Sequence, residues 1–208
     1  MGTCDHMDLF LVRHGITDWN REKRYLGHTD RGVLTDELYR LYTLRKELMD
    51  HSFDYVFTSD LLRCRETVSY LGYGAMACTD RRLRELNFGE WEGKTYDELK
   101  DNDHYRKWLT DWESECPPNG ESGSGFAARV DDFIDEQFLH ISEKPSVRIL
   151  LLTHGGVIRY LLARFKATDN FWEGSIQHGQ SVRISLTRKE GDWTCNSLSE
   201  VPLPGKGI

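Results

Sequence analysis

No apolar run in this 208-residue chain comes near the roughly 20 consecutive residues that a membrane-spanning helix requires. The N-terminus also lacks the long apolar segment that leads an exported chain. The expectation is a protein that neither crosses a membrane nor leaves by that route. Cationic excess is missing too: 27 Lys and Arg stand against 34 Asp and Glu, giving a net charge of -7 and a pI of about 5.6. Such a surface opposes a broad groove for a phosphate backbone, which excludes nucleic acid as a partner but leaves room for a small anion in a local cationic pocket. The five cysteines, Cys4, Cys64, Cys78, Cys116 and Cys195, are odd in number, scattered and free of any CxxC pair. That argues against a disulfide framework and against a zinc knuckle. They read as small buried hydrophobes in a reducing cytoplasm.

What is present is an ordinary globular mixture, 38% hydrophobic, 29% charged and 12% aromatic, of a length that fits one domain over residues 1–208. The first six residues, MGTCDH, are polar and precede a second Met at Met7, and they read as an extension outside the fold. Continuous short apolar runs predict buried strands at 8–13 (DLFLVR), in DYVFTS and at 147–153 (VRILLLT), with a weaker strand at 75–79 (AMACT). Helical spacing predicts one helix over 35–50, with Thr35 as its N-cap and Leu38, Leu41, Tyr42, Leu48 and Met49 on one face. Further helices are expected over 60–71, over about 124–140 and after the HGG that follows Thr153. QSVRISLT and DWTCNSL close the chain as an antiparallel pair. The stretch 80–123 differs in kind, holding Trp91, Tyr96, Tyr105, Trp108 and Trp112 and ending in PPNGESGSG, and it reads as an aromatic-rich lid or insertion. The alternation of strands and helices implies an α/β fold: a three-layer sandwich with a mixed, mainly parallel central sheet and helices on both faces.

In an open α/β sheet the ligand lies beyond the carboxyl ends of the strands, where loops and helix N-termini gather. The first strand ends in Arg13 and His14, the second leads through Thr58 and Ser59 to Arg63, and the VRILLLT strand delivers His154 ahead of Gly155 and Gly156. Two imidazoles and two guanidiniums therefore converge. A guanidinium offers a fork of donors matched to phosphate oxygens, and an imidazole can attack phosphorus through one nitrogen while the other is held as a donor. The set suits phosphoryl transfer, in which positioning and stabilisation of charge on the equatorial oxygens dominate.

At these motifs the chain resembles the histidine phosphatase superfamily, in its phosphoglycerate mutase-like branch. The likeness runs from Leu9 to about Leu186 through LVRHGITDWN, YLGHTD, TSDLLRCRET, LRELNFGEWEG, PPNGESGSGF and LLLTHGGVIR, in the family's order. It implies His14 as the nucleophile that becomes phosphohistidine, and Glu85 as the general acid that protonates the leaving alkoxide, with Glu90 and Glu92, close by in sequence, as the other candidates for the acid. Arg13, Arg63, His154, Asn20, Gly27 and the Gly155 backbone are implied to bind the substrate, with no metal and no organic cofactor. Two departures stand out. LTDELYRLY lacks the Gly and Gln usual in that helix, and Glu66 replaces a usual Gln and is expected to face away from phosphate. His178, after Ile176 and Gln177, is a further site candidate, and His28 is expected in a loop near the pocket mouth.

HGGVIR after the second histidine, together with the modest length, resembles phosphatases more than mutases, so a phosphomonoester hydrolase is implied. RYLGHTD, LRELNFGEWEG and WESECPPNGES are most similar to bacterial phosphatases that act on α-ribazole 5′-phosphate in cobalamin biosynthesis. A broad-specificity phosphatase and then a cofactor-dependent phosphoglycerate mutase are the alternatives. A non-catalytic binding module of the same fold would keep the sheet and lose part of the set.

Overall fold

A computed structural model describes residues 5–141, 145–174, 176–189 and 192–201. Residues 1–4 of the expected extension, Cys4 among them, lie outside the described residues, as does the chain after Val201. In chain order the elements are β1 (His6–Arg13), α1 (Asp18–Arg21), α2 (Thr35–Tyr39), α3 (Tyr42–Met49), β2 (Tyr55–Ser59), α4 (Leu62–Tyr70), β3 (Ala77–Asp80), α5 (Tyr96–Leu99), α6 (Asp103–Thr110), α7 (Gly123–His140), β4 (Ser146–Thr153), α8 (Gly155–Arg164), β5 (Ser181–Lys189) and β6 (Asp192–Val201). One six-stranded sheet has the order β3-β2-β4-β1-β5-β6. Pairing is parallel from β3 through β2 and β4 to β1, and antiparallel from β1 through β5 to β6. The sheet is mixed and mainly parallel, as the alternation of elements implied.

The period of two along each strand divides the core into two layers. Met7, Leu9 and Leu11 of β1 join Ile149 and Leu151 of β4 beneath α7, α8 and the 80–110 region, where Phe126, Val130, Phe133, Val157 and Leu161 are buried. Phe10, Val12, Leu150 and Leu152 face the other way, onto Leu44 and Leu48 of α3 and Cys64 and Val68 of α4. Because β1 and β4 are covered on both faces, their side chains must be apolar throughout, which explains their unbroken runs.

The expected helix over 35–50 is two helices. α2 ends at Tyr39 and α3 starts at Tyr42, so the phase resets between them. Tyr42 and Met49 consequently sit on the outer side, 58% and 64% exposed, while Leu41, Leu44 and Leu48 are buried. Thr35 is the first helical residue rather than the cap; Leu34 holds the cap position and supplies no side-chain hydrogen bond. β1 begins within the expected extension, at His6, because pairing with Ser146 and Thr187 is made by backbone and does not need an apolar side chain. Of the described cysteines only Cys64 is buried; Cys78 and Cys116 are exposed and Cys195 is half-buried. The reading of the cysteines as core hydrophobes is corrected accordingly.

Candidate active site

β1, β2 and β4 are parallel neighbours around the point where the chain crosses over the sheet, so their carboxyl ends open on one side. His14 directly follows β1 and its backbone N–H donates to the carbonyl of Thr153 at the end of β4 at 3.0 Å. That bond locks the two strand ends together. The imidazole is buried, and its Nδ1 donates to the carbonyl of Gly15 at 2.7 Å. A proton held on Nδ1 leaves the lone pair on Nε2. Burial, reinforced by Arg63, His178 and Arg13, holds the imidazole well below its usual range, against the opposing pull of the Gly15 carbonyl. Gly15 is itself anchored: its N–H donates to Thr67 Oγ1 at 3.0 Å, and that hydroxyl donates to the Arg63 carbonyl at 2.7 Å.

Arg63 enters in the first turn of α4 and is fully buried. α4 has no side-chain cap of its own, and Asp30 takes that place by accepting the Leu62 N–H at 2.6 Å. The guanidinium is held on three sides, donating to Thr29 O at 3.0 Å, Gly27 O at 2.7 Å and His154 Nδ1 at 3.3 Å. Two of its five N–H groups remain for a ligand. His154 therefore carries its proton on Nε2, 2.9 Å from Ser59 Oγ, and its ring lies 5.1 Å from that of His14. Both of its nitrogens are engaged by protein, so His154 steadies Arg63. Nearby, burial pushes the Cys64 thiol up to about 12, which leaves it inert as a nucleophile.

Arg13 crosses the start of α8, where a Cβ on Gly155 would stand 3.0 Å from its guanidinium carbon. It donates through Nη1 to Ile176 O at 2.7 Å, and its buried Nε has no partner. Burial pulls it down to about 10, with Glu85 opposing, so it stays charged at neutral pH. Glu85 sits at the same helix end: Oε2 accepts the Gly156 N–H and Oε1 the Leu86 N–H, each at 3.0 Å. Its backbone is pinned by Arg129, which donates to the carbonyls of Arg82 and Arg84 at 2.7 Å and of Glu85 at 2.9 Å.

Besides His154, whose two nitrogens are both engaged by protein rather than left for a ligand, two further expected ligand-binding residues, Gly27 and Asn20, have duties within the protein. The carbonyl of Gly27 is an acceptor for Arg63, as given above, and the carboxylate of Glu92 grips the adjoining loop through the N–H groups of His28 at 2.7 Å and Thr29 at 2.6 Å. Gly27→Ala drives a methyl into the Leu86 carbonyl oxygen and the Glu92 carboxylate. We expect a loss of about 1–3 kcal/mol and a fall of several degrees in the thermal midpoint, with reduced turnover as Arg63 loosens. Calorimetry with a rate assay checks this, and an unchanged midpoint would show that the loop yields freely. Asn20 closes the capping box of α1, its Oδ1 accepting from Thr17 N and Oγ1 at 3.1 and 3.0 Å. It lies on the rim of a cleft shared with Tyr25 and His178. Glu66 turns outward and accepts the Val33 N–H at 2.6 Å.

A cavity of about 240 Å³ opens beside Arg13, Glu85, Gly155 and Gly156. Tyr25, Phe88, Trp108, Trp112, Phe171 and Trp172 wall it. Trp112 stacks on Phe171 with ring centres 4.2 Å apart. Trp91 and Trp108 are buried in the core, with Trp108 presenting one side to the cavity. Arg159, one turn along α8 from Gly155, adds a cation to the lining. Phe171, Trp172, Thr67 and Arg159 escaped the sequence reading, which placed Glu92 only as a rival acid and not as a loop anchor; only Arg159 carried a signal, its four-residue spacing from Gly155 on a helix. Among the described residues no group of three or more His, Cys, Asp or Glu is placed to hold a metal ion, and no helix is long and apolar enough to cross a membrane.

Known proteins resemble the chain over most of its length. The adenosylcobalamin/alpha-ribazole phosphatase of Escherichia coli is 31% identical over 202 residues, 88% of this chain and 92% of the relative. The alpha-ribazole phosphatase of Shigella flexneri superposes with a TM-score of 0.78 at 28% identity, covering 92% of this chain and 96% of that one. YhfR of Bacillus stearothermophilus superposes with a TM-score of 0.77 at 26% identity over 91% of this chain and 95% of its own. With the profile of the histidine phosphatase superfamily, branch 1, matching residues 9–200, the chain belongs to that superfamily.

Proposed function

We propose that the protein hydrolyses a small phosphomonoester through a phosphohistidine at His14, and that its substrate is α-ribazole 5′-phosphate. The observation that carries the reading is the His14 imidazole, with Nδ1–H held by Gly15 and Nε2 unprotonated beside Arg13 and Arg63. Nε2 attacks phosphorus in line, the bond from phosphorus to the ester oxygen breaks, and Glu85 gives its proton to the departing alkoxide. Arg13 and Arg63 take the charge on the equatorial oxygens, His154 keeps the Arg63 fork in place, and the Asn20 amide and Gly155 N–H complete the cage. Water then attacks phosphorus, gives a proton back to Glu85, and leaves inorganic phosphate and free His14. None of these steps calls on a metal ion.

For the leaving group, the aromatic walls of the adjoining cavity support a flat ring, and the activity for which the E. coli and Shigella relatives are named supports α-ribazole. Residues 80–123 supply much of that wall and act in this reading as the lid. Free thiols at the described cysteines support a cytoplasmic location, and the acidic net charge supports a small molecule rather than nucleic acid as the partner.

Released phosphate measured over α-ribazole 5′-phosphate, a nucleoside monophosphate and 3-phosphoglycerate tests the assignment. We expect kcat/KM for the first to exceed that for the last by at least about 100-fold, some 2.7 kcal/mol. Equal values would make the enzyme a broad-specificity phosphatase. Trp112→Ala is expected to raise KM for α-ribazole 5′-phosphate about tenfold with kcat little changed, because the ring meets base equally in the ground and transition states. A fall in kcat with constant KM would place Trp112 in the chemistry instead.

A further inference from the structure

The loop that follows Ile176 is latched to the nucleophile's own strand. Arg13 N donates to Gln180 O at 3.0 Å, and Gly179 N donates to the carbonyls of Arg13 and His14 at 3.0 and 3.1 Å. Gly179 has φ +72, and a Cβ there would be driven into Leu41, so the bend needs glycine. The latch holds the His178 ring 5.1 Å from the His14 ring, on the same spacing as His154. The two flanking imidazoles differ in one respect. Both nitrogens of His154 are taken by Arg63 and Ser59, whereas Nε2 of His178 is enclosed and has no partner. Arg13 Nε, on the other residue gripped by this loop, is also buried and without a partner. An enclosed polar nitrogen left unpaired costs about 1–3 kcal/mol, and here two of them border the nucleophile. Arg13 Nε can only donate, and the neutral imidazole can present Nε2–H as a donor too, so each suits an acceptor such as a phosphoryl oxygen. Burial, with Arg13 and Arg63 close by, holds His178 down at about 3, which keeps the ring neutral.

We propose that His178 is a ligand of the transferring phosphoryl group, its Nε2–H donating to a phosphoryl oxygen beside His14. The inference rests on the phosphatase reading and adds to it a residue that the five-residue set of Arg13, His14, Arg63, Glu85 and His154 does not contain. The test is competitive inhibition by inorganic phosphate, together with kcat, in wild type, His178→Phe and His178→Gln. Phe keeps a ring against His14 and removes the donor; Gln keeps a donor and removes the ring. We expect His178→Phe to raise the inhibition constant about tenfold and lower kcat by at least as much, with His178→Gln recovering most of both. Phosphate bound equally well by wild type and His178→Phe overturns the assignment and leaves the phosphatase reading intact. Failure of His178→Gln to improve on His178→Phe, at matched thermal midpoints, also overturns it by showing that the ring only packs. Should His178→Phe not fold, His178→Gln alone decides, because near-wild-type inhibition supports a donor and a tenfold loss removes it. A wild type that shows neither phosphate inhibition nor an acid-labile phosphoenzyme would overturn both readings.

Discussion

His14→Ala should abolish turnover, leaving less than about 0.1% of the wild-type rate, a barrier increase of more than 4 kcal/mol. Rapid-quench labelling should give an acid-labile phosphoenzyme in wild type and none in the variant. The size of the effect follows from what the substitution removes. His14 is the nucleophile of the proposed path, and water in the emptied space would have to attack without the alignment that the Gly15 carbonyl gives the ring. Folding should survive, since the strand-locking bond to Thr153 is made by the His14 backbone. The downward shift of the imidazole has a consequence for pH. A group whose range is lowered by burial, Arg63 and its neighbours stays unprotonated as the medium is acidified through 6.5, its usual value. The acid limb of kcat/KM should therefore fall below that of an ordinary histidine, unless ionisation of the phosphate ester sets it. Retention of more than about 1% activity by His14→Ala, or abolition of wild-type activity by a chelator, would end the covalent, metal-independent account.

The strand-end residues were legible in the sequence because each is marked locally. Arg13 and His14 interrupt an apolar run that has to be buried, His154 does the same after Thr153, and Arg63 stands in the first turn after β2. Glu85 had no such mark, and its position came only from the resemblance. What places it is long-range: Arg129, 44 residues away, grips its carbonyl, and Gly156, 71 residues away, meets its carboxylate. Thr67 and the loop-gripping duty of Glu92 were invisible for the same reason, since both act on backbone groups of loops remote in sequence. The division of 35–50 into α2 and α3 escaped because Arg40 and Leu41 are ordinary helix formers, and no glycine or proline marks the break. The continuous apolar run of β1 and the helix over about 124–140 depend only on neighbours along the chain, and a buried strand and α7 form there. His14 and His154 could be paired from strand order alone, whereas the difference between His154 and His178 needed the hydrogen bonds.

Glu85→Gln should slow the hydrolysis of an alkyl phosphate such as α-ribazole 5′-phosphate by about 1000-fold and that of p-nitrophenyl phosphate by less than about tenfold. An alkoxide is too basic to leave without a proton, and p-nitrophenolate departs readily as the anion. The contrast between substrates isolates the proton because Gln disturbs the site for both alike. Each carboxyl oxygen of Glu85 now accepts a backbone N–H, from Leu86 and from Gly156. The amide oxygen of Gln can satisfy one of these, while its NH2 group faces the other donor. That mismatch costs of the order of 1–3 kcal/mol and is shared by every substrate. A further loss confined to the alkyl ester therefore measures the acid itself. The other carboxylates along this loop are otherwise occupied: Glu92 holds the N–H groups of His28 and Thr29, and Glu90 accepts from Asn119 Nδ2 at 2.8 Å. If both substrates slowed by the same factor, Glu85 would be a brace between the start of α8 and the loop at Leu86. The proton would then have to come from elsewhere in the cage, and Glu92→Gln on the same pair of substrates would be the next measurement.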